Sequence, residues 1–230
     1  METAKREMTF LLARPERRLL QALAAKVPAR FSPNHLSGLG VVAAIGIGAA
    51  YALSATHVSW LWIASLMLVA QWFGDSLDGT LARVRGIERP RYGYYIDHMI
   101  DAFSTAVVGI GIGLSPFVQF ELALVLVLIY LMLSINVYLE SSVFGVFKLA
   151  YGKIGPTEGR IILVLGNTAL ALAVATPGLS LAAVSAVTNA AVVALGVALF
   201  VVLTVRFGKN LHRLARLEPS ARRRRAQSLG

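Results

Sequence analysis

The chain has 230 residues, 57% of them hydrophobic and 15% charged, with a mean hydropathy of +0.68, which excludes an ordinary soluble domain and points to a membrane protein. It contains no cysteine, so disulfides, thiol nucleophiles and Cys-ligated zinc are excluded, and any metal must sit on Asp, Glu or His. The net charge of +10 is carried by residues flanking apolar spans, which indicates anionic lipid headgroups as partners and not nucleic acid.

The N-terminus, from Met1 to Arg30, is an interrupted, charged stretch unlike the single short apolar core of a cleaved signal, so the chain is read as mature. Within it, Glu7 to Val27 sets Phe10, Leu11, Leu19, Leu20, Leu23 and Ala24 among basic residues at helical spacing. That pattern suits an amphipathic helix lying in the membrane interface before Pro28 breaks it, with a frayed, solvated arm as the alternative. Residues 1–33 are expected to form this cytoplasmic, interfacial segment, 34–208 a six-helix membrane domain and 209–230 a basic, disordered cytoplasmic tail.

Six apolar runs are long enough to cross ~30 Å of hydrocarbon, so the expected fold is an all-α integral membrane protein of six transmembrane helices after the interfacial one. The runs are Leu36–Leu53, Trp60–Leu81, Tyr94–Leu114, Phe117–Leu139, Ile161–Ala175 and Leu181–Val205. The fifth is short and gains length only by starting near Pro156, where Thr157 and Glu158 suit a first turn. With these spans all 22 Lys and Arg residues fall on one side: seven before the first span, four between the second and third, three around the fourth-to-fifth connection and eight after the sixth. The positive-inside pattern then places both termini in the cytoplasm of a cell with the chain in its inner or plasma membrane.

An ionised side chain at mid-bilayer costs about 3 kcal/mol on insertion scales, so carboxylates beside spans need a reason. Four occur within 27 residues: Asp75 and Asp78 close the second span on one helical face, with Ala82 on the same stripe, and Asp97 and Asp101 open the third, with Gly93 one turn earlier. The short segment Arg83 to Tyr92 predicts an antiparallel hairpin that brings all four together at the cytoplasmic interface. Such a cluster is tolerable only with cations. All-oxygen ligands favour Mg2+ or Mn2+, and Mg2+ prefers sites that also take substrate phosphate oxygens. Gly79 and Gly93 let a ligand approach the backbone, and Arg83 offers a fork for phosphate. A single aspartate here could simply pair with Arg83, Arg85, Arg89 or Arg91; four on converging faces argue against that.

The stretch Asp75-Ser-Leu-Asp78-Gly79-Thr-Leu-Ala82-Arg83, followed by Gly93-Tyr-Tyr-Ile-Asp97-His-Met-Ile-Asp101, resembles the signature of the CDP-alcohol phosphotransferase family at eight fixed positions. Nine residues separate Arg83 from Gly93, about one more than the usual spacer, and the Pro33-Asn34-His35-Leu36-Ser37 element carries Ser37 where relatives commonly have Thr. The resemblance implies that Asp75, Asp78 and Asp97 hold one or two metal ions against the CDP pyrophosphate, with Asp101 completing the metal site or acting as catalytic base. It further implies that Gly79, Ala82 and Gly93 border the cytidine, Arg83 contacts phosphate and Asn34 lies near the nucleotide. The implied reaction is attack of an alcohol on the phosphorus distal to cytidine, releasing CMP, and a homodimer is also suggested. Donor and acceptor are a CDP-linked alcohol and an alcohol, one of them a lipid: CDP-diacylglycerol with a small polar acceptor, or a CDP-linked small alcohol with a lipid acceptor. The Asp97-His98 pair resembles the choline and ethanolamine branch, which favours the second and makes His98 a candidate base. One residue from Asp97, however, His98 is turned about 100° from the metal face, so it could equally contact a neighbouring helix.

Lys148, Lys153, Glu158 and Arg160 are candidates for holding the acceptor or its phosphate, against simple topology and helix starting. Glu140 faces the active cavity or ends the fourth span, and His35, His57 and His212 have no strong claim. Tyr92, Tyr94, Tyr95, Trp60 and Trp62 suit interfacial belts, while Gly46, Gly48, Gly109, Gly111 and Gly113 suit helix packing, a homodimer face included. Two other functions compete: a membrane prenyltransferase, which needs two distant acidic motifs and more spans, and a divalent-cation transporter, which needs mid-membrane carboxylates on several helices.

Overall fold

The computed structural model describes residues 5–6, 12–144, 146–147 and 155–218. Among the described residues seven helices carry the fold: α1 (Ala13–Ala24), α2 (Pro33–Leu53), α3 (Trp60–Val84), α4 (Pro90–Gly113), α5 (Phe120–Phe144), α6 (Pro156–Ala175) and α7 (Leu181–Leu217). Two two-residue strands, β1 (Lys5–Arg6) and β2 (Val146–Phe147), pair in parallel, the one departure from an all-helical chain among the described residues. Helices α2, α4, α5, α6 and α7 are long and apolar enough to cross a membrane, and they mark an integral membrane protein. Helix α3 is as long at 25 residues but carries Gln71, Asp75 and Asp78, and it is not among the five.

Helix starts follow local chemistry. Pro33 opens α2, where Ser32 and His35 cap each other: the His35 N–H donates to Ser32 Oγ at 3.3 Å and the Ser32 N–H to His35 Nδ1 at 3.2 Å. Pro156 opens α6, which therefore has the extra first turn anticipated for the fifth run. Helix α5 starts at Phe120, later than the run it was read from, because the Phe117 carbonyl is bound by Thr188 Oγ1 and the Gln119 N–H by Asn189 Oδ1.

Helix α2 packs along both α3 and α4; α3 packs on α6, α4 on α5, and α7 lies on α5 and touches α6. The six helices thus close a ring in the order α3, α2, α4, α5, α7, α6, with α1 against α3. This corrects the expected α3–α4 hairpin: the two helices pack along α2 and not along each other. Glycine explains why. A Cβ on Gly74 would meet the Leu36 carbonyl oxygen at 2.6 Å and the Gly40 nitrogen at 2.7 Å, and Gly111 lies directly on Gly48. Only residues without side chains let α2 approach both partners so closely. The small residues therefore serve contacts inside the chain, Gly113 likewise against Phe120 and Ala123.

One core cluster, with Ile47, Leu61, Leu68 and Phe117, fills the ring away from the basic end. It encloses a polar chain in which Tyr51 Oη donates to Asn167 Oδ1 at 2.9 Å and Asn167 Nδ2 to Ser65 Oγ at 3.0 Å. A second cluster, Leu20, Ala24, Leu36, Leu77 and Leu81, docks α1 at the basic end. The described helix begins at Ala13; residues 7–11 of the expected amphipathic stretch lie outside the described residues.

The tail also departs from expectation. Helix α7 continues to Leu217, so 209–217 is helical and not disordered. Asn210 Nδ2 donates to Glu140 Oε1 at 2.5 Å and the Arg213 guanidinium stacks 4.3 Å from the Phe144 ring centroid, which keeps the extension on α5. Residues from 219 onward lie outside the described residues.

Candidate active site

The basic ends of α3 and α4 both lie against α2, and the space that the three helices bound is the candidate cleft. Asp75 and Asp78 are half-buried on α3. Asp78 Oδ2 accepts from Ser37 Oγ of α2 at 2.5 Å and Asp78 Oδ1 from the Gly79 N–H at 2.5 Å. Asp75 Oδ2 forms an ion pair with Arg160 Nη2 of α6 at 2.5 Å, and Arg160 Nε donates to Gln71 Oε1 at 2.6 Å. Among the described acceptor candidates, Arg160 is the one brought directly to a signature aspartate.

Across the cleft, Asp97 and Asp101 are half-buried on α4. The negative charges of Asp75 and Asp97 both act on Asp78. Tyr130 of α5 lies in the field of Asp101, Asp75 and Arg160, and Tyr138 in that of Asp101 and Asp97. Residues of α3, α4, α5 and α6 therefore share one electrostatic neighbourhood. Among the described residues, no three His, Asp or Glu side chains are drawn to metal-holding distance of one another. Asp75 is engaged by the Arg160 cation and Asp78 by two donors, and the donor set of the cleft is entirely oxygen.

The residues expected to border the nucleotide are half-buried or exposed. Gly93 is exposed, and a Cβ there would meet nothing within 4 Å; one on Gly79 would meet only the Arg83 guanidinium, at 3.6 Å or more. Ala82 is half-buried one turn past Asp78. Arg83 is exposed and donates to Thr80 Oγ1 at 3.1 Å. Asn34 Nδ2 donates to Tyr92 Oη at 3.3 Å, which ties the start of α2 to the start of α4, and the Arg89 guanidinium lies 4.2 Å from the Tyr92 ring centroid.

Arg85 donates to the Phe31, Val27 and Pro28 carbonyls and so clamps the link between α1 and α2. His98 is held between Tyr94 and Tyr138, with ring centroids 4.1 and 4.3 Å away, and its Nδ1 lies 2.6 Å from the Tyr94 carbonyl. Of its two readings, the neighbouring-helix contact is what the geometry displays. Glu158 accepts the Gly155 and Leu12 N–H groups, a capping role at the start of α6. Glu140 binds Arg206, Asn136 and Asn210 and fastens α5 to α7. Lys148 and Lys153 lie outside the described residues.

Four residues near the cleft were not singled out from sequence: Gln71, Tyr130, Tyr138, and Ser37 as a partner of Asp78. Gln71 had a usable signal, one turn before Asp75 on the stripe of Asp78 and Ala82. The tyrosines and the Ser37 contact depend on helix pairings that no spacing reveals.

Residues 30–207 match the sequence pattern of the CDP-alcohol phosphatidyltransferase family. No curated protein matches the chain in sequence. In three dimensions the chain is similar to the crystal structure of the phosphatidylinositol phosphate synthase of Mycobacterium tuberculosis with CDP-DAG bound. The TM-score is 0.56 at 21% identity, over 85% of this chain and 93% of that one, a likeness of fold.

Proposed function

The chain belongs to the CDP-alcohol phosphatidyltransferase family and is a CDP-alcohol phosphotransferase, and from that premise we propose that it transfers a phosphatidyl group from CDP-diacylglycerol to a small polar alcohol. The observation that carries the reading is Asp78, held by Ser37 and acted on by the charges of Asp75 and Asp97, in a cleft that the signature glycines leave open. The packing of His98 between two tyrosines supports its reading as a neighbouring-helix contact, and with it a lipid donor over a CDP-linked small alcohol. The CDP-DAG bound to the fold neighbour supports the same choice by analogy.

In this reading the acceptor oxygen attacks the phosphorus distal to cytidine, the pyrophosphate P–O bond breaks and CMP leaves. Asp101 takes the acceptor's proton. Asn34, Gly79, Ala82, Arg83 and Gly93 seat the nucleotide, and Arg160, with Lys148 and Lys153, draws in a polar acceptor. Asp75, Asp78, Asp97 and Asp101 would hold Mg2+ or Mn2+, hard cations that suit an all-oxygen site of mutually repelling carboxylates. Such an ion, when bound, supplies charge neutralisation for the leaving phosphate. Glu158, with both oxygens on backbone N–H groups, serves the helix start.

The same reading makes α3 a sixth span, its polar residues facing the ring interior, and puts the basic end, both termini and the cleft in the cytoplasm, with α1 along the interface of the cell membrane. Anionic lipid headgroups surround the basic end, and the chain works as a homodimer. Incubating the purified protein with CDP-diacylglycerol, Mg2+ and a panel of polar alcohols tests the function. CMP and a new phospholipid are expected together; CMP release only from a CDP-linked small alcohol with diacylglycerol would reverse donor and acceptor.

A further inference from the structure

We infer that Glu16 of α1 is a positioning residue that sets the place of Arg160 beside Asp75. The inference rests on the function proposed above. One carboxylate oxygen, Glu16 Oε1, accepts from three donors on two other helices: Thr157 Oγ1 of α6 at 2.6 Å, Trp72 Nε1 of α3 at 2.8 Å and Ser76 Oγ of α3 at 3.4 Å. Ser76 adjoins Asp75 in the chain, and Thr157 lies one helical turn before Arg160. The knot therefore stands at the level of the Asp75–Arg160 pair. Hydrogen bonds to an ionised carboxylate are shorter and about twice as strong as neutral ones. A second tie, from the Leu12 N–H to Glu158 Oε1 at 2.9 Å, joins the same two segments.

The knot has a specific task. Among the described residues, the direct side-chain hydrogen bonds between α3 and α6 at this end run through Arg160, to Gln71 and Asp75. In the proposed function Arg160 turns to the acceptor and Asp75 to the metal, so these bonds exchange partners during turnover. A fastening that depended on them alone would let the start of α6 drift whenever Arg160 let go of Asp75. Glu16 supplies a fastening built from residues outside the chemistry, with α1 seated by Leu20 and Ala24 in the second core cluster. Removing partners that orient the residues of such a site costs roughly 10- to 100-fold in activity.

The test compares CMP release and hydrogen–deuterium exchange at residues 156–163 in the full-length protein and its Glu16→Ala, Glu16→Gln, Thr157→Val, Arg160→Ala and Glu16→Ala/Arg160→Ala variants. Glu16→Ala is expected to lower kcat/KM about tenfold, mostly through the acceptor KM, and to speed exchange at the start of α6. Glu16→Gln, which keeps the accepting oxygen, should restore most of both. Thr157→Val leaves α1 bound to Trp72 and should show the same direction of change even if Glu16→Ala folds poorly. In the Arg160→Ala background, Glu16→Ala should cost nothing further. Equal losses in both backgrounds, wild-type behaviour of Glu16→Ala and Thr157→Val, or failure of Glu16→Gln to rescue would overturn the inference. A wild-type protein that releases no CMP, with exchange still faster in Glu16→Ala, would refute the proposed function and leave the knot standing.

Discussion

Ser37 Oγ donates to Asp78 Oδ2 at 2.5 Å, joining the Pro-Asn element of α2 to the acidic signature of α3. The two residues are far apart in the chain and meet because Gly40 and Gly74 bring the helix backbones into contact. A hydroxyl in this place orients the carboxylate and shares its charge. Ser37→Ala should lower kcat/KM about tenfold, and Ser37→Thr, which keeps the hydroxyl, should stay near wild type. Steady-state CMP release in membranes of defined composition measures both; equal losses would show that volume matters at this position and the hydrogen bond does not.

His98 is placed by its stacking between Tyr94 and Tyr138. An aromatic ring without titratable nitrogens should serve that contact, so His98→Phe is expected to retain kcat within about threefold, whereas His98→Ala should lower thermal stability by about 1–3 kcal/mol through the packing it removes. The pH–rate profile of His98→Phe decides the point. Loss of its neutral-pH limb together with a large fall in kcat would make His98 the base after all.

Gly74 shows how the cleft acquires its back wall. Because a Cβ there would press on backbone atoms of α2 and not on a movable side chain, Gly74→Ala should destabilise the protein by about 2 kcal/mol or more and reduce activity by displacing Asp75 and Asp78. Gly93→Ala, which meets nothing within 4 Å, should leave stability unchanged and raise the donor KM. Thermal unfolding in detergent beside donor titration separates the two; matching stability losses would refute the assignment of one glycine to packing and the other to the ligand.

The Arg206–Glu140 pair fastens the far side of the ring, with Asn136 and Asn210 completing the carboxylate's partners. Deleting one member leaves a partly buried charge behind, so Glu140→Ala should cost about 3 kcal/mol and Glu140→Gln less. Neither should alter the metal concentration that half-saturates activity, since Glu140 is engaged with α7. A shifted metal requirement in Glu140→Gln would return this residue to the active cavity.

Much of this arrangement was legible in the sequence for reasons that are local. The spacing of Asp75 with Asp78 and of Asp97 with Asp101 places each pair on one helical face whatever lies around it, and Pro156 starts a helix through its own ring. Pairings between distant helices were not legible. Nothing in the segment from Arg83 to Tyr92 shows that α2 separates α3 from α4, because that follows from glycines at 40, 48, 74 and 111 meeting across helices. For the same reason Arg160 could be read only as a general acceptor ligand, its contact with Asp75 depending on α6 docking against α3. Residues 209–217 looked like a disordered tail because their composition is basic. Their helix exists through contacts with Glu140 and Phe144, which composition does not encode.

The central claim is that α3 and α4, which scarcely touch, deliver their aspartates to one reacting site. Mg2+-dependent CMP release by Asp97→Asn, compared with wild type and Asp78→Asn at matched membrane insertion, tests it most directly. Loss of turnover in both variants, one from each wall of the cleft, is the predicted result. Full activity in Asp97→Asn would contradict it, by showing that the first signature aspartate of α4 is not needed for the chemistry.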